Sequence, residues 1–278
     1  TRRSSDLAAG YCQLYCAVAV GRAAGTCHQN WGTVAIGARS GQIYQSSQST
    51  AVGNYAGYNY QSYSSVAVGA SSGYCHQGPN SVAIGFWSGY NHQNYCSIAI
   101  GSYAGYYYQL CHAIAIGPTA GYCNQCSSAI AIGSSAGFGC QKYAAISIGS
   151  AAGGYCQQCR GIAIGDSAGY NHQGSRAIAI GQYAGGCYQH QYSIAIGVNA
   201  GALCQGYPGC CVYHVGSIAI GNHAGYMQQG QCSVAIGNYA GYCQHQNSII
   251  FNATGSALNS GGSCRFYVAP IRNASGSK

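Results

Sequence analysis

The sequence predicts an all-β protein, a parallel β-solenoid (β-roll) of about 15 coils with a 16-residue repeat. Three observations predict this fold. A phrase of the form Val/Ile-Ala-Val/Ile-Gly recurs at a fixed spacing. A second glycine and a glutamine follow each phrase at constant offsets. Large apolar residues of the phrase alternate with a small one, and this period of two is typical of a strand.

The glycine that ends each phrase sets the period. It recurs every 16 residues from Gly21 to Gly197, and the next copy is Gly221, so eight residues are inserted at residues 206–213. A constant period indicates that every coil meets its neighbours in the same way. We predict that these glycines form tight corners with positive φ. The corner glycines are Gly37, Gly53, Gly69, Gly85, Gly101, Gly117, Gly133, Gly149, Gly165, Gly181, Gly197, Gly221 and Gly237.

A glutamine lies eight residues after the corner glycine in the regular coils, and a second glycine lies between them, four residues after the first. Glutamines at one position of stacked coils can form a ladder of side-chain amide hydrogen bonds. The predicted ladder consists of Gln29, Gln45, Gln61, Gln77, Gln93, Gln109, Gln125, Gln141, Gln157, Gln173, Gln189, Gln205 and Gln229.

The alternation in the phrase also predicts which side chains face inward. We expect Val and Ile to stack into an apolar column inside the solenoid, with the intervening alanine facing the other way. A solvent-facing column would tolerate Lys, Glu or Thr, so an alanine column suggests close packing against another chain. The alternative is a tightly curved coil that lacks room for a larger residue. The candidate interface residues are Ala83, Ala99, Ala115, Ala131, Ala163, Ala179 and Ala195.

The phrase Ser81-Val82-Ala83-Ile84-Gly85 resembles the head repeats of trimeric autotransporter adhesins, whose heads are left-handed parallel β-rolls of three chains. The longer unit, as in residues 97–106, is more similar to repeat proteins of giant viruses, algae and environmental sequences. Residues 248–278 resemble the junction that precedes an intramolecular chaperone of the endosialidase type, which templates a trimeric fibre and is then cut off. The resemblance implies a homotrimer and a terminal coil with a fibre/chaperone-junction segment at 248–278, which follows the solenoid domain that the repeat predicts at 1–247.

The chain has 18 cysteines, a number that favours an oxidising compartment. We therefore expect an extracellular, cell-surface or virion-surface location. A disulfide needs Cα atoms within about 7 Å, which limits pairing to equal or adjacent positions of neighbouring coils. The candidate disulfides are Cys140–Cys156, Cys111–Cys126 and Cys187–Cys204, while Cys210 and Cys211 in the insertion are candidates for bridges to other chains.

The sequence contains few residues that could take part in catalysis. The two acidic residues, Asp6 and Asp166, are about ten coils apart by the repeat, whereas acid–base and glycosidic mechanisms usually need paired carboxylates. We predict no catalytic residue, no enzyme activity, no bound metal and no cofactor. His28, His76, His92 and His172 share the position before the ladder glutamine, and we interpret this position as an exposed surface site, with a metal ladder at His76 and His92 as the alternative.

Charge and hydropathy limit the partners. Charged residues make up 4% of the chain, and its net charge of +8 comes mainly from scattered arginines. Nucleic-acid binding needs a clustered basic surface, and a membrane helix needs about 18 or more apolar residues in a row. The sequence has neither, so we expect no nucleic-acid partner and no membrane span. Asn252 and Asn273 fit the N-glycosylation pattern and are candidate modification sites.

The predicted function is that of a structural subunit of an extracellular fibre, appendage or surface filament, with an adhesive role toward a surface or glycan and with the chain itself as its main partner. The alternative is a ligand-binding solenoid. An ice-binding face would need a regular threonine array, which the sequence does not have. A glycan-binding face would use the aromatic residues that follow the second glycine, which include Tyr58, Tyr74, Tyr90, Tyr106, Tyr122 and Phe138.

Overall fold

The computed structural model describes residues 16–206 and 216–271, and within these residues all regular secondary structure is β. The chain divides into two compact units, Thr1–Ala151 and Ala152–Lys278. Each unit is a parallel β-solenoid, and counted over both units there are about 15 coils with a spacing of ~16 residues. The predicted solenoid is therefore confirmed, whereas the homotrimer remains a prediction. Apart from Gly206, the insertion at residues 206–213 lies outside the described residues.

The first unit has two parallel sheets, because each regular coil contributes one strand to each sheet. One sheet contains the strands of the Val/Ile-Ala-Val/Ile phrase, in the spatial order β1 (Val18–Val20), β3 (Val34–Ile36), β5 (Thr50–Val52), β7 (Val66–Val68), β9 (Val82–Ile84), β11 (Ile98–Ile100), β13 (Ile114–Ile116), β15 (Ile130–Ile132) and β16 (Ile146–Ile148). The other contains the strands that end in the ladder glutamine, β2 (Cys27–Gln29), β4 (Ile43–Gln45), β6 (Asn59–Gln61), β8 (Cys75–Gln77), β10 (Asn91–Gln93), β12 (Tyr107–Gln109) and β14 (Cys123–Gln125).

The second unit repeats this arrangement with a shorter glutamine sheet. Its phrase strands are β17 (Ile162–Ile164), β19 (Ile178–Ile180), β21 (Ile194–Ile196), β22 (Ile218–Ile220), β23 (Val234–Gly237), β24 (Ile249–Asn252) and β25 (Phe266–Ala269). The glutamine sheet has β18 (Asn171–Gln173) and β20 (Cys187–Gln189), and single bridges through Leu203, Met227 and Cys243 continue it.

The strands pair in register with their equivalents. Ala99 in β11 lies opposite Ala83 in β9 and Ala115 in β13, and Gln93 in β10 lies opposite Gln77 and Gln109. Parallel pairing of this kind places strands about 4.8 Å apart. Every position of the repeat therefore becomes a column of equivalent side chains along each unit.

The interior of each unit is filled by small and polar side chains. The phrase alanines, including Ala83, Ala99, Ala115 and Ala131, are fully buried, as are the ladder glutamines and most of the serines that precede the phrase. The predicted interface alanines Ala83, Ala99, Ala115, Ala131, Ala163, Ala179 and Ala195 all have 0% exposure within the single chain. The prediction that they pack against another chain is therefore wrong.

Valine and isoleucine of the phrase lie on the outside, so their predicted position in an inner column is also wrong. Ile84 is 38% exposed and Ile148 is 37% exposed. The physical reason is the length of the glutamine side chain. Gln93, for example, reaches from its own strand across the coil to the backbone of Val82, and the space left opposite it holds a methyl group only. The alternative explanation of the alanines, a coil that lacks room, agrees with the structure.

Residues with positive φ angles form the corners of each coil. The corner glycines have φ values near that of Gly101, which is +126°, and a Cβ there would lie 2.7 Å from the carbonyl oxygen of Gly117 in the next coil. A regular coil also has three non-glycine residues with positive φ. In one coil these are Tyr55, Tyr60 and Ser64. A left-handed conformation is uncommon for residues with a side chain, so the backbone path of the coil is set by the stack rather than by local preference.

Candidate functional site

The structure contains four surfaces or columns with distinct chemistry: an internal glutamine ladder, an outer aliphatic face, and two columns of stacked rings. We define the aliphatic face as the outward side chains of the phrase strands. In the first unit these include Val82, Ile84, Ile98, Ile100 and Ile116, and in the second unit they include Ile178, Ile180, Ile194, Ile196 and Ile220.

The glutamine ladder joins the two sheets and successive coils. Gln109 Nε2 donates to the carbonyl oxygen of Ile98 at 2.7 Å, across the same coil, and to Gln125 Oε1 at 3.1 Å in the next coil. Equivalent hydrogen bonds between successive glutamine amides are found in three other stretches of the ladder. These stretches are Gln29 to Gln61, Gln157 to Gln205, and Gln229 to Gln244. Buried amides of this kind are stable only when their polar atoms are paired, so the ladder is a structural device.

The second glycine of each coil makes room for the ladder. Gly105 has a φ of +54°, and a Cβ on this residue would lie 2.8 Å from Gln109 Oε1 and 3.2 Å from the Cβ of Ala99. Glycine, alanine and glutamine thus fit together as one packing unit in the coil. The ladder has one break in the first unit, since Gln77 Oε1 has no hydrogen-bond partner among the described residues.

The aliphatic face is an apolar part of the outer surface. Its valines and isoleucines are half-buried to exposed in both units, and none of its positions carries a charged residue. In the second unit the last two phrase strands extend the face with aromatic residues, because Phe251 and Phe266 are 40% and 61% exposed. A contiguous apolar surface of this kind usually marks a site of protein association.

The first ring column follows the second glycine and contains Tyr58, Tyr74, Tyr90, Tyr106, Tyr122 and Phe138. Neighbouring rings are stacked with centroids 4.9 to 5.0 Å apart and interplanar angles of 10° to 14°. Burial, followed by the neighbouring phenols, raises the pKa of Tyr74 and of Tyr106 above the usual range. The raised pKa values favour the neutral form of these two phenols, which stack without charge repulsion.

The second ring column occupies the position before the ladder glutamine and is more exposed. His28, Tyr44, Tyr60, His76, His92 and Tyr108 stack with centroids 4.6 to 5.1 Å apart. A groove of about 300 Å³ runs beside it, lined by Tyr60, His76, His92, Ser62, Gly78 and Asn94 among others. A groove of about 290 Å³ lies at the equivalent position of the second unit, beside His172 and Gly174.

The fifteen cysteines of the described residues are all free, so this structure forms none of the predicted disulfides Cys140–Cys156, Cys111–Cys126 and Cys187–Cys204. Cys187 and Cys204 are neighbours, since the backbone N–H of Cys204 donates to the carbonyl oxygen of Cys187 at 3.0 Å, but the register places Leu203 rather than Cys204 directly opposite Cys187. Equivalent positions carry parallel side chains about 4.8 Å apart, while a disulfide needs Cβ atoms about 3.8 Å apart. Burial, and then the Cys204 thiol, raises the pKa of Cys187, which favours the unreactive thiol form. Cys210 and Cys211 lie outside the described residues.

Asn252 is unsuitable for the predicted glycosylation. Its side chain is 3% exposed, and Nδ2 donates to the carbonyl oxygens of Asn238 and Ser256, both at 2.7 Å. Its Oδ1 accepts from the backbone and hydroxyl of Thr254. The nitrogen that would carry a glycan is thus buried and engaged, and the prediction for Asn252 is wrong. Asn273 lies outside the described residues.

Acidic residues are sparse, with two in the whole chain. No group of three or more His, Cys, Asp or Glu side chains there could hold a metal ion. Asp166 accepts a hydrogen bond from Gln182 on the surface, whereas Asp6 lies outside the part of the chain that the structure describes. Across residues 16–206 and 216–271, no helix has the length and apolar character needed to cross a bilayer.

Comparison with known proteins gives no relative on which to base a function. No protein-family model matches the chain, and neither a curated protein nor a solved structure matches it. The chemistry of the surfaces described above is therefore the basis for a functional assignment.

Proposed function

We propose that the chain is a structural subunit of an extracellular fibre, appendage or surface filament, and that it assembles as a homotrimer through the aliphatic face. The observation that supports this proposal is the exposure of Val and Ile on one sheet of each unit. Burial of such side chains contributes about 25 cal/mol per Å² of apolar surface removed from water. A second and third copy of the same face would provide that burial.

The repeat makes the aliphatic face suitable for packing against a copy of itself. Its two rows of β-branched side chains have the same spacing along every coil, so ridges of one chain can lie between ridges of another. The absence of charge from these positions avoids the cost of burying ions. The ligand-binding alternative has less support, because the faces of most column rings are covered by neighbouring rings and are not open to a sugar.

Three alternating charges on the aliphatic face should convert the trimer into a monomer. The variant is Ile84→Lys, Ile100→Glu and Ile116→Lys, in which opposite charges lie on adjacent strands and support the monomer fold. We expect analytical ultracentrifugation to give the mass of three chains for the unmodified protein and of one chain for the variant, with the same far-UV circular dichroism.

The matched control places charges on the opposite sheet, as Tyr44→Lys with Tyr60→Glu, where both rings are exposed. This control is expected to remain trimeric. A trimeric face variant would show that the interface lies elsewhere, and a monomeric unmodified chain at every concentration would reject the proposal.

A further inference from the structure

The exposed ring column contains one pair of adjacent histidines. Among the described residues, only His76 and His92 occupy the position before the ladder glutamine in two successive coils. Their rings are 4.9 Å apart with an interplanar angle of 9°. Both rings are on the surface and line the groove of about 300 Å³. Two imidazoles therefore face the same volume of solvent.

The neighbouring asparagine selects the tautomer of one ring. Asn91 Oδ1 lies 2.6 Å from His92 Nδ1. A carbonyl oxygen only accepts hydrogen bonds, so Nδ1 carries the hydrogen of the neutral ring and Nε2 is the nitrogen with the lone pair. Histidines that bind metals are usually held in this way, with the second nitrogen donating to an oxygen. His76 Nδ1 is 3.1 Å from Cys75 Sγ, and no hydrogen bond from the described residues occupies Nε2 of either ring.

We propose that His76 and His92 bind one divalent transition-metal ion through their Nε2 atoms, with water completing the coordination. Imidazole is a good ligand for copper, nickel and zinc. Metal–nitrogen bonds of about 2.0–2.1 Å place two ligand nitrogens no more than about 4 Å apart, so the stacked rings must tilt toward each other. Their exposure allows this movement. Ser62 and Asn94 in the same groove can hydrogen-bond the bound water.

Two other histidines, His172 and His223, lack a feature that the His76–His92 pair has. His172 has the same contact from its neighbour, since Asn171 Oδ1 is 2.6 Å from its Nδ1, but the ring stacked on it belongs to Tyr188. At His223 both ring nitrogens are engaged, Nδ1 by Asn222 at 2.7 Å and Nε2 by Asn199 at 3.3 Å. His223 is therefore a suitable control, because its ring has no nitrogen left for a metal.

Copper(II) binding to the full chain tests the proposal. The thiols are alkylated first, because thiolates bind the same ions. We expect electron paramagnetic resonance at one equivalent of Cu²⁺ to show coupling to two imidazole nitrogens. His76→Gln and His92→Gln should each reduce this coupling to one nitrogen. Asn91→Ala should weaken Cu²⁺ binding about tenfold, as loss of an outer hydrogen bond usually does.

The control His223→Gln should change neither the affinity nor the nitrogen coupling. The proposal is overturned if His76→Gln and His92→Gln bind Cu²⁺ with the affinity and nitrogen coupling of the unmodified chain. It is equally overturned if the alkylated chain binds no more Cu²⁺ than the variant that lacks both histidines. Neither outcome depends on whether the chain forms a trimer.

Discussion

Replacing Gln109 by methionine should lower the free energy of unfolding by about 3–5 kcal/mol, an unusually large effect for one residue. Methionine has nearly the same length, so the change removes hydrogen bonds without opening a large cavity. The Nε2 atom of Gln109 donates to Ile98 and to Ala113, at 2.7 and 3.2 Å. In the ladder, Gln125 Oε1 loses the donor Gln109 Nε2, and Gln93 Nε2 loses the acceptor Gln109 Oε1. Four hydrogen bonds inside the coil stack are then lost at once.

The matched control is Gln158→Met, the same chemical change at an exposed glutamine. It should alter stability by less than about 0.5 kcal/mol. Urea denaturation measures both variants, and hydrogen exchange of the Ile98 and Ala113 region shows whether the loss is local, as expected for a solenoid. Equal effects of the two substitutions would mean that the ladder contributes little to stability.

The repeat period made the topology predictable. A unit of 16 residues with one alternating phrase allows one arrangement in which equivalent residues pair, and the observed register of Ala99 with Ala83 and Ala115 is that arrangement. The fixed offset of glutamine, as in Gln93 and Gln109, also indicated stacked amides because a polar residue at a constant position needs a constant partner. Regularity carries this information independently of any relative.

The inward-facing side chains were not predictable from hydrophobicity alone. The usual preference for large apolar residues in a core would place Ile84 inside and Ala83 outside, and the structure has the reverse. The deciding factor is the length of Gln93, which spans the coil to Val82. Nothing in a binary pattern of polar and apolar residues describes how far apart the two sheets lie.

The conformational preferences of the residues also did not predict the positive φ angles at three non-glycine positions in each regular coil. Tyr60 and His76 have φ values of 55° and 54° in the middle of strands β6 and β8. Bulky residues rarely adopt this conformation, so the residue types at these positions do not predict it. The sequence predicted an exposed position before each ladder glutamine, whereas the groove beside His76 and His92 depends on this backbone conformation and could not be placed from the sequence.

The reversed packing connects the fold with the proposed assembly. Because the interior is filled by alanine, serine and glutamine, each chain buries little large apolar surface of its own. The valines and isoleucines that would form the core of an ordinary domain are on the outside, where their burial has to come from another molecule. Assembly would therefore supply stabilisation that a single chain does not have.

Ala131→Ile should lower the free energy of unfolding by about 3 kcal/mol, at the upper end for overpacked cores, while Ile132→Ala should cost less than about 1 kcal/mol. Ala131 is fully buried, and a Cβ on Gly137 would lie only 3.3 Å from its methyl group. Ile132 is 36% exposed, so its truncation leaves no enclosed cavity.

Both changes should be made in the charged face variant, Ile84→Lys with Ile100→Glu and Ile116→Lys, so that association does not contribute to the denaturation curves. An ordinary apolar core predicts the opposite order, because there the isoleucine is buried and the alanine is at the surface. A larger loss of stability for Ile132→Ala than for Ala131→Ile would therefore contradict the inward position of the alanines. The predicted order would show that the width of the coil, set by glutamine, decides which residues the interior accepts.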